Sequence, residues 1–207
     1  DSWGGYADGP EFDATGFFYP KKHEGKWWLI DPDGRLFFSH GIDCVNWWAA
    51  TAVADREHWF AGRPFNHPKW GPYSGTRSNF VHGYYEGRSE VRTFDFLQAN
   101  LDRKYGADWA DVYPDIAHAR LESWGMNTVA NWSAYEVMLK RRAPYTVAIH
   151  ASVPELDGSS GYWGKFPDAF DPAFGEAIRD RMGGEIGRTT DDPYNIGYFV
   201  DNEISWG

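Results

Sequence analysis

The residues best placed to do chemistry are Asn202 and Glu203, which follow an apolar run from Ile196 to Val200. A strand that ends in an amide and a carboxylate aims both groups at one spot, where the carboxyl can give or take a proton. Strands of parallel barrels deliver catalytic groups to the barrel mouth in this way. Cleavage of a glycosidic bond uses such a group, but normally needs two carboxylates rather than one. The acid must hold its proton near neutral pH, which requires apolar surroundings or a second carboxylate nearby. Val200, Ile204 and Trp206 offer apolar surroundings to Glu203. Asp201 shares a face with Glu203 only if the strand persists that far. Asp43 is a geometrically possible second carboxylate.

Other positions are candidates for binding rather than proton transfer. Asn131 suits a sugar hydroxyl, or equally the cap of a following helix. Trp132 next to it is a stacking platform or a packed core ring. His40 and Asp43 are expected at the end of the first strand, as substrate contacts or as a satisfied interior pair. Trp47, Trp48, Trp163 and Trp206 divide between binding platforms and loop packing. His58, His67 and His82 have no zinc spacing, so no metal is expected and no cofactor is implied. Asp31-Pro-Asp-Gly34 begins like an acidic cation loop, but turn chemistry accounts for it. Cys44 is the only cysteine, so no internal disulfide can form. It is expected to be buried and inert, because reactive thiols need an accessible, electropositive setting.

The elements that must position these residues follow from pattern and turn signals. Residues 1–25 are rich in Gly and Asp and read as an arm or loop. Lys26–Ile30 and Arg35–Phe38 are aromatic runs around a Pro/Gly turn, the signature of a β-hairpin over 26–38. The second arm continues through Ser39–Val45 as the first strand of a sheet. Residues 46–94 show no sustained period and read as a long loop, a length usually tied to function. Helical spacing appears over Phe96–Tyr105 and Tyr113–Trp124, and Gly125 fits a helix end. Met126–Asn131 is a second strand, followed by a helix from Ser133 to Arg142 with Ser133 as its cap. Tyr145–Ala151 is a third strand, then an aromatic, Gly-rich loop over Val153–Phe170. Asp171-Pro172 opens another helix, with cap and first-turn proline, and Asn195–Val200 is the fourth strand. Strands separated by helices imply right-handed βαβ units and a parallel sheet. The expected fold is α/β of the (β/α)8 TIM-barrel type. Residues 26–207 supply about its first four β/α units, with the hairpin in front.

Composition narrows the partners. Of 207 residues, 18% are aromatic and twelve are Trp, more than a core of this size calls for and suited to stacking on sugar rings. The formal net charge of −10 argues against nucleic acid, because no basic cluster exists to release counterions. A neutral polysaccharide or oligosaccharide is indifferent to that charge. No run reaches the length of a membrane span. The chain begins at Asp1 without Met, so a processed form or a piece of a longer protein is expected.

Several blocks together resemble a family. They are Trp28–Asp43, Gly125–Ser133, Gly161–Asp168, Phe170–Pro172 and Gly197–Gly207. Over about residues 16–207 the chain looks like the N-terminal half of a clan A glycoside hydrolase barrel, of the kind found in family 50 β-agarases and agarase-like proteins. The resemblance implies a retaining hydrolase of a β-linked galactan such as agarose. In it Glu203 is the general acid/base, Asn202 contacts the sugar 2-hydroxyl, and the nucleophile follows a seventh strand beyond these residues. It also suggests an extracellular or periplasmic setting. Two other outcomes stay open from the residues alone: a non-catalytic carbohydrate-binding half-barrel, or another clan A enzyme acting on β-galactosides or β-mannans. Four strands leave unpaired edges, so pairing with a missing C-terminal half or self-association is expected.

Overall fold

The computed structural model describes every residue except 63, 80–82, 151–152, 160–164 and 206–207. The chain divides into two compact units, one formed by Asp1–Val45 with Ala117–Gly207 and the other by Asn46–Ile116.

The first unit opens with an antiparallel sheet of β1 (Tyr19–His23), β2 (Lys26–Ile30) and β3 (Leu36–Phe37), in that order. Pairing of Leu29 with Phe37 and Ile30 with Leu36 makes the hairpin expected at 26–38. Its turn is held by Asp31, whose Oδ1 accepts from the amides of Asp33 and Arg35 at 3.0 and 2.9 Å. β1 lies inside the stretch expected to be an arm. It is joined to β2 through Glu24 and Gly25, at φ 49° and 78°. Two left-handed residues between paired strands match the twist of a hairpin, and so extend the sheet by a strand.

After β4 (Gly41–Ile42) the chain enters the second unit, where a loop was expected. Here β5 (Ala50–Ala52), β6 (Ser74–Arg77) and β7 (Val91–Asp95) form an antiparallel sheet with β7 in the middle. Val53, Phe65 and Phe94 are its buried core, with Phe60, Trp70, Tyr73, Phe96 and Ala99 packed around them. Asp95 then caps α1 (Phe96–Tyr105), accepting from the Gln98 amide at 2.9 Å. α2 (Trp109–Ser123) starts four residues before the expected Tyr113 and contains Pro114.

α2 ends in a Schellman motif: the Met126 amide bonds to the Leu121 carbonyl at 2.9 Å and the Gly125 amide to Glu122 at 3.0 Å. Gly125, at φ 69°, takes the left-handed position this motif needs. There follow β8 (Thr128–Val129), α3 (Tyr135–Met138), β9 (Tyr145–Ile149), α4 (Pro172–Gly183) and β10 (Asn195–Val200). Their strands join β4 in a parallel sheet of order β10-β9-β8-β4. β9 is buried almost throughout, as a strand covered on both faces should be. This is an α/β fold with a parallel sheet whose spatial order follows the chain. Gly41 sits where β4 meets β8 so closely that a Cβ would lie 1.9 Å from the Thr128 carbonyl oxygen.

Ser133 does not cap α3 as expected. Its hydroxyl donates to the Ala130 carbonyl at 2.6 Å and accepts from the Val45 amide at 2.9 Å. It thereby ties β4 to β8, and α3 is left short, without a side-chain cap. Asp171 does cap α4, accepting from the Ala173 amide at 2.8 Å.

Candidate active site at the strand ends

In a parallel sheet all C-terminal strand ends lie on one side. Asp43 follows β4, Asn131 and Trp132 follow β8, His150 follows β9, and Asp201, Asn202 and Glu203 follow β10. His40 precedes β4, so it belongs to the opposite ends of the strands. There its amide donates to Asn127 Oδ1 at 2.9 Å and its carbonyl accepts from the Asn127 amide at 2.8 Å. The expectation that His40 ends the first strand is corrected: the strand is short, and His40 lies before it. Trp163 and Trp206 lie outside the described residues, as does His82.

The tip after β10 is not a continued strand. Asp201 and Glu203 both have left-handed backbones, at φ 58° and 51°. The Asp201 amide still bonds to the Ile149 carbonyl at 2.8 Å, so β9 holds the first residue of the tip. Asp201 therefore does not share a strand face with Glu203 by alternation. Its Oδ1 lies 3.9 Å from His150 Nδ1, while Asn202 and Glu203 are exposed.

His150 is the residue sequence reasoning missed. Trp132 donates its indole N–H to His150 Nε2 at 3.2 Å, and the two rings are within 16° of parallel. An accepting Nε2 puts the ring proton of neutral His150 on Nδ1, toward Asp201. Trp132 is 38% exposed and itself left-handed, at φ 58°. The only sequence signal for His150 was its place at the end of the third apolar run. Asn131 Oδ1 accepts from Thr146 Oγ1 at 2.7 Å, which fixes its amide against β9 rather than capping α3.

Asp43 is exposed. Cys44, expected to be buried, is exposed and left-handed at φ 53°. Partial desolvation and then the Asp43 carboxylate push its thiol above its ordinary pKa. Trp47 packs edge-on against Tyr113, with centroids 5.6 Å apart, while Trp48 is 50% exposed.

Behind β9 and β10 two buried carboxylates hold the strands. Glu185 is fully buried and accepts from Arg181, Tyr135 and Thr189 at 2.7, 2.8 and 2.8 Å. The Thr189 hydroxyl gives its proton to Glu185, so it accepts from Tyr198 of β10, 3.0 Å away. Desolvation alone would raise the Glu185 pKa, but the donors from Arg181, Thr189 and Tyr135 outweigh it and hold the carboxyl below its usual range. Asp192 likewise accepts from Tyr145 of β9 at 2.7 Å and from Arg141 at 2.9 Å. Burial and then Asp192 raise the Tyr145 phenol far above its ordinary value. Among the described residues no cluster of three metal-ligating side chains occurs.

Known proteins supply the context for these strand ends. The chain is 33% identical to β-agarase B of Vibrio sp. (strain JT0107) over 99% of its length, covering 24% of that protein. It is 30% identical to β-agarase A of the same strain over 90% of its length, covering 20% of that protein. The crystal structure of an agarase, AgWH50C, matches all of the chain with a TM-score of 0.83 at 30% identity, the chain covering 32% of it. The chain is a relative of the family 50 β-agarases. No family model matches it. This agarase-like chain spans between a fifth and a third of the length of these relatives. Within that span it carries Asn202-Glu203 directly after its last parallel strand.

Proposed function

We propose that the protein is a retaining glycoside hydrolase of a β-linked galactan such as agarose, with Glu203 as its general acid/base. The observation that carries this reading is the place of Asn202-Glu203, just past the fourth strand of a parallel sheet in an agarase-like chain. In this reading the sheet is the first half of a (β/α)8 barrel, and its C-terminal strand ends form the binding face. Glu203 protonates the glycosidic oxygen as the bond breaks, then takes a proton from the water that releases the sugar. Asn202 contacts the 2-hydroxyl of the sugar being cleaved. The nucleophile is a second carboxylate about 5–5.5 Å from Glu203, supplied by chain outside these residues.

The other strand-end residues take supporting roles. Trp132 offers a flat face to a sugar ring, and its N–H keeps His150 in one tautomer. Asp201, facing Nδ1 of His150, steadies that ring from the far side. Asn131 and Asp43 complete the polar wall, with Trp163 and Trp206 as further platforms.

The test is Glu203→Gln, which keeps shape and removes the titrating group. Turnover of agaro-oligosaccharides is expected to fall about 10²–10⁴-fold, the usual contribution of general acid–base catalysis, with oligosaccharide binding kept. Turnover near that of the parent protein would sink the role of Glu203.

A further inference from the structure

Within the unit Asn46–Ile116 one cation is set among aromatic rings. The Arg56 guanidinium carbon lies 3.8 Å from the Tyr84 ring centroid, 4.9 Å from Trp59 and 5.2 Å from Tyr85. The carboxylates on either side of it in sequence are already engaged, Asp55 with Arg88 and Glu57 with Arg92. Arg56 has no ion-pair partner among the described residues, and its Nε is buried there without a hydrogen-bond acceptor. Tyr85 is buried and donates its hydroxyl to the Ala54 carbonyl at 3.0 Å, which anchors the floor of the cluster. Trp59 and Tyr84, by contrast, are 66% and 61% exposed.

The buried Nε is out of a ligand's reach, and Arg56 as a whole is only half-buried, so the rest of its side chain is what a ligand can meet. A guanidinium stacked on rings is locked in plane, so its N–H edges point in fixed directions. Large aromatic faces left in water beside such donors match what a sugar ring requires. Its apolar C–H face covers an indole, and its hydroxyls accept from the cation. The charge balance favours a neutral sugar. Arg88 and Arg92 are neutralised by their partners, and the net charge of −10 repels a polyanion.

We propose that Arg56, Trp59 and Tyr84 form a saccharide platform that takes a neutral pyranose of a galactan chain. The pyranose lies face-on to the Trp59 indole, with hydroxyl oxygens on the Arg56 guanidinium. Naming the sugar as galactan rests on the proposed function; the platform itself rests on the cluster.

Retention of the protein on agarose beads tests this, with hydrolysis of a short soluble agaro-oligosaccharide as a separate readout. Trp59→Ala and Arg56→Lys are each expected to weaken retention about tenfold, as loss of a central aromatic or arginine anchor does. Neither residue is assigned a part in bond cleavage, so kcat/KM on the short substrate should change by no more than about twofold. Trp59→Phe, which keeps a ring, is expected to retain most of the binding, and a soluble neutral agaro-oligosaccharide should elute the parent protein. Parent-like retention in both Trp59→Ala and Arg56→Lys overturns the proposal. So does elution by inorganic sulfate but not by the neutral sugar. Thermal midpoints within a few degrees of the parent show that the variants fold. If Glu203→Gln leaves turnover intact the catalytic reading falls, whereas bead retention still decides this one.

Discussion

Trp132 at the end of β8 donates its indole N–H to Nε2 of His150 at the end of β9, at 3.2 Å, and the two rings are nearly parallel. The contact settles more than position, because it selects which imidazole nitrogen carries the proton. Trp132→Phe keeps the ring and deletes the donor. In the parent, nitrogen NMR shifts of His150 at neutral-imidazole pH should report the Nδ1–H tautomer, and in Trp132→Phe a mixture of tautomers. An unchanged tautomer ratio would mean that Asp201 alone sets it. The stability cost should be small, about 1 kcal/mol, as for one hydrogen bond at a half-exposed site.

Glu185 supplies a pH prediction. Its folded carboxyl is held below its ordinary value of 4.5, so it binds fewer protons folded than unfolded around that pH. The stabilisation it provides is therefore complete above pH 4.5 and is lost as pH falls through the folded value. Glu185→Gln should flatten this acid limb in urea melts taken below pH 4.5. Glu185→Ala should cost about 3–5 kcal/mol at neutral pH, because it strands Arg181 and the hydroxyls around it.

Gly41→Ala tests the close approach of β4 and β8. The added methyl would meet the Thr128 carbonyl oxygen at 1.9 Å and its carbon at 2.6 Å, both backbone atoms that cannot turn aside. A loss of about 3 kcal/mol is expected, at the upper end for overpacking, read from denaturant midpoints. A neutral result would show that the edge strand shifts freely.

Cys44 combines exposure with a raised thiol pKa. Alkylation by iodoacetamide should be slower at pH 8 than for an unstructured thiol, because less thiolate is present. Asp43→Asn removes a like charge, so the thiol pKa should fall and alkylation should quicken. An Asp43→Asn rate equal to that of the parent would leave desolvation as the sole cause.

Where the sequence was legible, local signals and tertiary context agreed. Asn195–Val200 reads as an apolar run and is β10, and Asp171-Pro172 announces α4 by cap and proline. The hairpin at 26–38 carries its own turn chemistry. β1 was hidden because Glu24-Gly25 is a weaker turn signal than Asn-Gly, and its strand shows Lys21 and Lys22 rather than an aromatic run. The unit over 46–116 was hidden for a different reason. Its strands are short, and its core is assembled from Val53, Phe65 and Phe94, far apart in sequence, so no window holds a period. Ser133 looked like a cap because caps and strand ties use the same hydroxyl. His150 carried only its place at the end of the third apolar run, and its role shows once Trp132 and Asp201 stand on either side of it.

The chain leaves the parallel sheet after β4, builds Asn46–Ile116 with its own core, and re-enters at β8 beside the strand it left. Closing such a long excursion costs little more than closing a short one, since each doubling of length adds only about 0.6 kcal/mol. The sheet's register is thus nearly indifferent to what is inserted there. A longer, shorter or different insert at that point is therefore expected to leave the pairing of β4 with β8 as it is.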